Sequence, residues 1–442
     1  VSICFHFNPD SIGLIDRYLY PYYTRDIQNG SITRNEAKSL LQEFFVTVKA
    51  NTPYFSINAG KGGESHFALG GYDENMNDCW NELSELILES LLELPMCCPQ
   101  ISLRHTKKTP FAVLYKLLDA ERRDSYKRIA FVADEPRIEA FTKIIGLPLS
   151  LAVNYTAVGC NETAFPGGVD FTGAHINIAR SLDTLLNGRR KEFAACKSYE
   201  EFSTLFKTIL KDTVKEALYY QNLFNAARSK DTDVISSLFM PGCIESAKSA
   251  TQGGAKRLSA NLNMNGLMCV IDSISIIKQL VYDEKRVSAQ ELCTLLDNDW
   301  GDGELRAYVL NRGKFFGNND EHSESVAISV TNALYEIISP LSEEFGHKLL
   351  VGCFEGYNPH STWFGAATPA TPDGRKHGDP FMIGIGQWHG LDKNGLTSLL
   401  LSVAHMDPSK ILTGSLVFNV ALDPSMIQND EKFLKTAAVF ET

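Results

Sequence analysis

The chain has 442 residues, with 42 Lys and Arg against 53 Asp and Glu, and a net charge of −11. Hydrophobic residues at 44% and charged residues at 21% are ordinary globular values, which excludes wholesale disorder and low-complexity readings. An acidic balance with no Lys/Arg-rich run speaks against nucleic acid and anionic membranes as partners, and no apolar stretch reaches the roughly 18 residues of a membrane span.

The start, Val1-Ser-Ile-Cys-Phe-His-Phe-Asn, has no basic n-region, no cleavage site and no initiator Met, so it reads as an excerpt without a signal peptide. Thr33-Arg-Asn-Glu36 is a capping box, opening a helix whose apolar face runs Leu40, Leu41, Phe44, Phe45 and Val48. Trp80, Leu83, Ile87 and Leu91 mark a second helix, stopped near Pro95. Arg128-Ile-Ala-Phe-Val-Ala133 predicts a buried strand, ended by Asp134-Glu-Pro and feeding a helix around 137–145. Short apolar runs at 149–153, 349–351 and 414–420 predict further strands. Between them, Phe202, Leu205, Phe206, Ile209, Leu210 and Ala217 mark a long helix to about Ala227, and Ser288-Ala-Gln-Glu291 caps another. Strands separated by helices indicate an α/β protein, whose sites sit on loops leaving strand ends. Ten cysteines spread evenly through a large chain indicate reduced thiols and a cytoplasmic protein.

Gly-Cys-x-Glu occurs at Cys160, Cys243 and Cys353. Cys243, before Ser246-Ala-Lys-Ser, and Cys353, after Leu349-Leu-Val351, read as buried and inert. Cys160 instead precedes Thr163-Ala-Phe-Pro-Gly-Gly168, a loop of backbone-permissive residues. If that segment is extended, Cys160 and Glu162 face one cavity and Asn161 turns away. A carboxylate beside a thiol is poor for thiolate chemistry, because it raises the Cys pKa, but it suits hydrogen-atom chemistry at sulfur with a separate proton acceptor. On residue chemistry alone a packed, structural Cys160 remains the alternative. No cysteine or histidine spacing suggests a metal site, and Gly60-Lys-Gly-Gly63 lacks Walker spacing and reads as a turn. Thr371-Pro-Asp-Gly-Arg-Lys376 specifies a tight turn, in which Asp373 and Arg375 can pin neighbouring groups.

These segments join other distinctive strings: Asp16-Arg-Tyr-Leu-Tyr-Pro-Tyr-Tyr23, Ala68-Leu-Gly-Gly-Tyr-Asp73, Pro99-Gln-Ile-Ser-Leu-Arg104, Tyr155-Thr-Ala-Val-Gly-Cys-Asn-Glu162, Asp272-Ser-Ile274 and Gly390-Leu-Asp-Lys-Asn-Gly395. In this order the chain resembles the glycyl radical enzymes, the superfamily of pyruvate formate-lyase and the radical dehydratases, decarboxylases and C–S lyases. The resemblance implies a ten-stranded α/β barrel of two antiparallel five-stranded halves, surrounded by helices and incomplete here. Residues 1–442 would form part of that barrel domain, with the C-terminal glycyl radical domain outside the sequence, since no Arg-Val-x-Gly-Tyr string occurs.

The resemblance further implies Cys160 as the thiyl-forming residue and Glu162 as the base. Ser11 and His175 fall where the family binds substrate, and Arg375 and Asp373 near the site. The implied activity is radical elimination of a small leaving group from a small molecule. No bound metal or cofactor is expected in this chain. The radical itself would be installed by a separate S-adenosylmethionine/iron–sulfur activase, and a homodimer is expected at full length. Two alternatives stay open: formate C-acetyltransferase-type acyl transfer, which a second cysteine in place of Gly159 would have supported, and a non-catalytic fragment.

Overall fold

The computed structural model describes residues 11–50, 65–159, 161–170, 174–230, 232, 234–345, 348–353, 358–388, 390–407, 410 and 413–439. Cys160 and the 60–63 segment lie outside the described residues. The chain forms two compact units, residues 1–166 with 420–442, and residues 167–419.

In the first unit, β1 (Ser11–Gly13), β2 (His66–Gly70), β3 (Gln100–His105) and β4 (Ile129–Ala133) pair in that order into a parallel sheet. Strand side chains alternate between faces. Phe67, Leu69, Ile101 and Leu103 point one way, into a core with Leu41, Phe45, Leu83, Ile87 and Leu117 of the covering helices Arg34–Ala50, Glu82–Leu92 and Phe111–Arg123. The Phe45 and Phe67 rings stack at 5.5 Å. His66, Ser102 and Arg104 therefore line the opposite face, and all are buried. Against that face lies an antiparallel hairpin of β5 (Thr156–Val158) and β6 (Glu162–Ala164).

The second unit holds β7 (Gly168–Asp170), β8 (Ala174–Asn177), β9 (Arg257–Asn265), β10 (Lys348–Cys353) and β11 (Ser415–Leu416), again all parallel, with β9 between β10 and the pair β7 and β8. Ile176, Leu262, Met264 and Val351 enter a large core with helices Tyr199–Arg228, Leu267–Ile277 and Glu321–Phe345. Parallel strands read as apolar on both faces when both are packed in a core. Here the other face of each sheet carries buried polar residues among apolar ones such as Val132 and Leu350. No described helix is long and apolar enough to cross a membrane, and no disulfide joins the described cysteines.

The capping boxes form as expected: Thr33 N–H donates to Glu36 Oε2 at 2.8 Å, and Ser288 N–H to Glu291 Oε2 at 2.8 Å. Three expectations need correction. Leu40 is 58% exposed, because the helix buries the narrower stripe Ala37, Leu41, Phe45 and Val48. Residues 149–153 hold a helical turn, Leu149–Ala152, because Pro148 stands at its N-cap with a fixed φ. The strand expected over 414–420 shortens to Ser415–Leu416. The described strands make two short parallel sheets and a hairpin, so the α/β class holds at that level.

Candidate active site

The hairpin carries the cysteine loop. Its strands pair Thr156 with Ala164 and Val158 with Glu162, which leaves residues 159–161 as the connection. The described residues on either side of Cys160 are turned rather than extended: Gly159 has φ +49° and Asn161 φ +82°, and Asn161 N–H donates to Val158 O at 2.9 Å. The alternation argument for Cys160 and Glu162 therefore does not apply across it. Asn161 instead turns toward the sheet, where it accepts from Ser102 Oγ at 3.4 Å.

Glu162 folds back over the turn. A Cβ at Gly159 would lie 2.9 Å from its Oε2, an oxygen that is shielded from solvent. A side chain there would push the Glu162 carboxylate aside. Gly159→Cys should therefore destabilise the protein by about 1–2 kcal/mol, from left-handed strain plus displacement of Glu162. Thermal unfolding checks this, and a loss below about 0.5 kcal/mol would mean that the turn accommodates a side chain.

Thr156, Val158 and Glu162 share one hairpin face, and Ala157 and Thr163 the other. On the first face Ser11 Oγ lies 3.1 Å from Thr156 Oγ1 and also accepts from Gly13 N–H at 3.1 Å. Ser11 and Glu162, both expected at the site, are thus brought to one hairpin face. On the second face Thr163 accepts from Arg137 Nη1 at 3.3 Å.

Behind this second face sits a buried charged hub that sequence reasoning missed. Arg104 forks onto Asp134 with two bonds of 2.8 Å, and also donates to the carbonyls of Val153 at 3.0 Å and Tyr155 at 3.1 Å. Asp134 further accepts from Tyr155 OH and Tyr72 N–H, both at 2.7 Å. Arg17 donates to the carbonyls of Gly70 at 2.7 Å and Tyr72 at 2.9 Å. Gly71, with φ +79°, leaves the room Arg104 needs, since a Cβ there would come 2.5 Å from its Nε. Burial alone would raise the Asp134 pKa, but Arg104 outweighs it and holds the carboxyl below the usual range. The hub ties down residues 153–155, the chain entering β5, while Arg137 holds the returning strand. A charged residue inside an apolar strand, Ile-Ser-Leu-Arg104, was the available signal.

In the second unit, His175 lies on β8 with its ring stacked on His360 at 3.9 Å, and its Nδ1 is 3.1 Å from Asn263 Nδ2. Loss of water around the imidazole, then the neighbouring His360, push its pKa down to about 4, although the residue as a whole keeps accessible surface. Asp373 and Arg375 shape their turn as expected. Asp373 accepts from Thr371 Oγ1 at 2.5 Å, and its carboxyl is pushed up by burial. The buried Arg375 donates to the carbonyls of Thr368 at 2.9 Å, Pro369, Lys376 at 3.0 Å and Asp379 at 2.8 Å. Both residues hold residues 365–379 together. Cys243 and Cys353 are 4% and 3% exposed, in keeping with packed thiols. Among the described residues no three His, Cys, Asp or Glu cluster as metal ligands.

A parallel sheet in each unit, the first packed against the hairpin that carries Gly159 and Glu162, agrees with the family comparison. The family model described as "Pyruvate formate lyase-like" matches residues 8–355. The chain belongs to this family, within the glycyl radical enzymes. It is similar to the (2S)-3-sulfopropanediol dehydratase of Klebsiella oxytoca, at 27% identity over 92% of this chain and 52% of that enzyme. Isethionate sulfite-lyase of Desulfovibrio desulfuricans is 27% identical over 89% of this chain and 50% of that enzyme. The glycerol-bound B12-independent glycerol dehydratase of Clostridium butyricum superposes with a TM-score of 0.86 at 25% identity, covering 97% of this chain and 56% of that one. The chain thus spans about half the length of the curated relatives it matches.

Proposed function

We propose that this chain supplies the cysteine loop and barrel part of a glycyl radical lyase or dehydratase, acting on a small molecule and releasing a small leaving group. The observation that carries this reading is the Glu162 carboxylate folded back over Gly159, next to Cys160 in the sequence, where a Cβ would lie 2.9 Å from its Oε2. Gly159, where acyl transfer of the formate-lyase type would call for a second cysteine, disfavours that alternative. The glycyl radical of the family, from a residue outside this sequence and installed by an S-adenosylmethionine/iron–sulfur activase, would supply hydrogen-atom abstraction at Cys160.

This chain's residues do the rest. Cys160 takes a hydrogen atom from the substrate carbon and returns it to the product. Glu162 accepts the proton of the adjacent hydroxyl as the neighbouring bond breaks, and Ser11, on the same hairpin face, orients that substrate. The buried hub keeps the hairpin still, which matters because hydrogen transfer needs the reacting atoms in contact. His175 would contact substrate from the second sheet, and Asp373 and Arg375 would support the loops near the site. We further assign the two sheets to the ten-stranded barrel that the family implies, and the full-length protein to a homodimer.

The test is turnover by the activated protein on 3-sulfopropanediol, isethionate, trans-4-hydroxy-L-proline and glycerol, the compounds that relatives' names suggest. Cys160→Ala should abolish turnover of whichever compound reacts. Cys243→Ala and Cys353→Ala should keep it and cost stability of about 1 kcal/mol each. Turnover surviving in Cys160→Ala overturns the reading.

A further inference from the structure

Helix Tyr199–Arg228 has two apolar faces. Phe206, Leu210, Val214 and Leu218 enter the core of the second unit. Every exposed residue of the helix as far as Glu216 is polar, as a surface helix requires. Beyond that point the outer side changes character. Tyr219, Tyr220, Leu223 and Phe224 are 61%, 62%, 52% and 56% exposed, and their i, i+1, i+4, i+5 spacing puts them on one face. The short helix Val234–Leu238, with Phe239 after it, repeats the spacing in Val234, Ile235, Leu238 and Phe239, which are 43–75% exposed. Side chains exposed to this extent together present on the order of 1,000 Å², above the roughly 300–600 Å² of the largest patch on a typical monomer and enough for the roughly 800 Å² that each partner of a stable dimer buries.

The face is its own complement. Glu216, Leu223 and Lys230 recur every seven residues, so they share one seam of the helix and of the turn that continues it, where Lys230 N–H donates to Ala227 O at 3.2 Å. A second copy laid antiparallel about Leu223 sets each Glu216 against a Lys230, because both stand seven positions from the centre. The same register sets Tyr219 and Tyr220 of one copy against Ala227 and Ala226 of the other, rings over small side chains. A parallel pairing would instead oppose like charges along the seam. Glu216 reaches Arg180 at 3.9 Å, a long pair between exposed side chains, so it is able to turn toward a partner.

We infer that the end of this helix is a self-association face, which pairs antiparallel with the same helix of a second copy of this chain. The chemistry selects a second copy, because the face supplies both the acid and the base, and both the rings and the small residues that receive them. The pairing uses no radical chemistry and is drawn from this helix alone, so the function and the full-length homodimer proposed above stand or fall separately.

Sedimentation velocity of the protein of this sequence, over a concentration series at low and high salt, decides it. The unaltered protein should form a discrete dimer that salt weakens, since ion pairs close both ends of the contact. Leu223→Arg brings two like charges to the two-fold axis and should raise the dimer dissociation constant by about tenfold or more. Glu216→Lys should do the same, and adding Lys230→Glu to it should restore the dimer to within about threefold. All three positions are exposed, so far-ultraviolet circular dichroism should not change, and the charge swap serves if Leu223→Arg does not fold. A protein that is monomeric at every concentration overturns the pairing and leaves the face to a segment outside this sequence or to a different protein. A dimer unmoved by Leu223→Arg and Glu216→Lys overturns it as well, and so does a loss in Glu216→Lys that Lys230→Glu fails to repair. Association without a discrete dimer would mark the face as apolar but unspecific, and it too overturns the pairing.

Discussion

Asp134→Ala should destabilise the first unit by about 3–5 kcal/mol, the cost of leaving a buried cation without its partner. Both side chains of the Arg104–Asp134 pair are fully enclosed, at 0% exposure. Asp134 accepts from Arg104, Tyr155 and Tyr72, so its loss strands four donor groups on three residues at once. The neighbouring charges do not compensate. Arg17 and Arg137 both have pKa values lowered by burial, and Asp16 is pushed up by burial. Denaturant unfolding of the unaltered protein, Asp134→Ala and the surface control Asp26→Ala measures the effect. The control should be silent, since its ion pair with Arg25 is solvent-exposed. A loss below about 1 kcal/mol for Asp134→Ala would show that the hub relaxes around the missing carboxylate. The pH dependence has a definite sign. The folded state lowers the Asp134 pKa, so its contribution is present above the ordinary carboxylate range and fades as the pH falls through the lowered folded value. Asp272, raised by burial, acts oppositely: its contribution is complete at low pH and fades as the pH rises through its raised value.

Glu162→Gln should lower turnover of the activated enzyme by about 10²–10⁴, the usual worth of a general base. Glutamine keeps the length and the reach over Gly159 but takes no proton. Radical content, counted by electron paramagnetic resonance, should be unchanged, because radical storage needs no base. An equal fall in radical content and in rate would instead make Glu162 a residue that shapes the turn. A rate within about threefold of the unaltered enzyme would remove it from the chemistry altogether.

Short-range features were legible in the sequence. The strand at 129–133 was legible from its own apolar run, while the boxes at Thr33 and Ser288 and the Asp373 bonds of the Pro-Asp-Gly turn rest on bonds between residues two or three apart. Such bonds depend on little outside their own segment. The family strings likewise pointed to the Cys160 loop and to Ser11. The alternation Asn-Leu-Asn-Met-Asn265 was also readable as a strand with one polar face, and it was overlooked because Asn is a weak strand former.

Other features needed the tertiary structure. Periodicity could not tell strand from helix in the apolar run after Pro148, because a short run fits either and the proline's φ arbitrates. It also could not show that Leu40 faces water, since which part of a helical stripe is covered depends on the helices packed against it. The turn at 159–161 breaks the two-residue alternation through two positive φ angles, so side-chain direction there follows backbone conformation rather than spacing. The hub joins Arg104 to Asp134 across 30 positions and Arg17 to Val153 across 136. By itself the sequence determined the α/β class, the family and the identity of the chemical groups. Only the folded chain decided which of them meet, because pairs this distant in sequence are set by strand register and sheet packing, which no local pattern encodes.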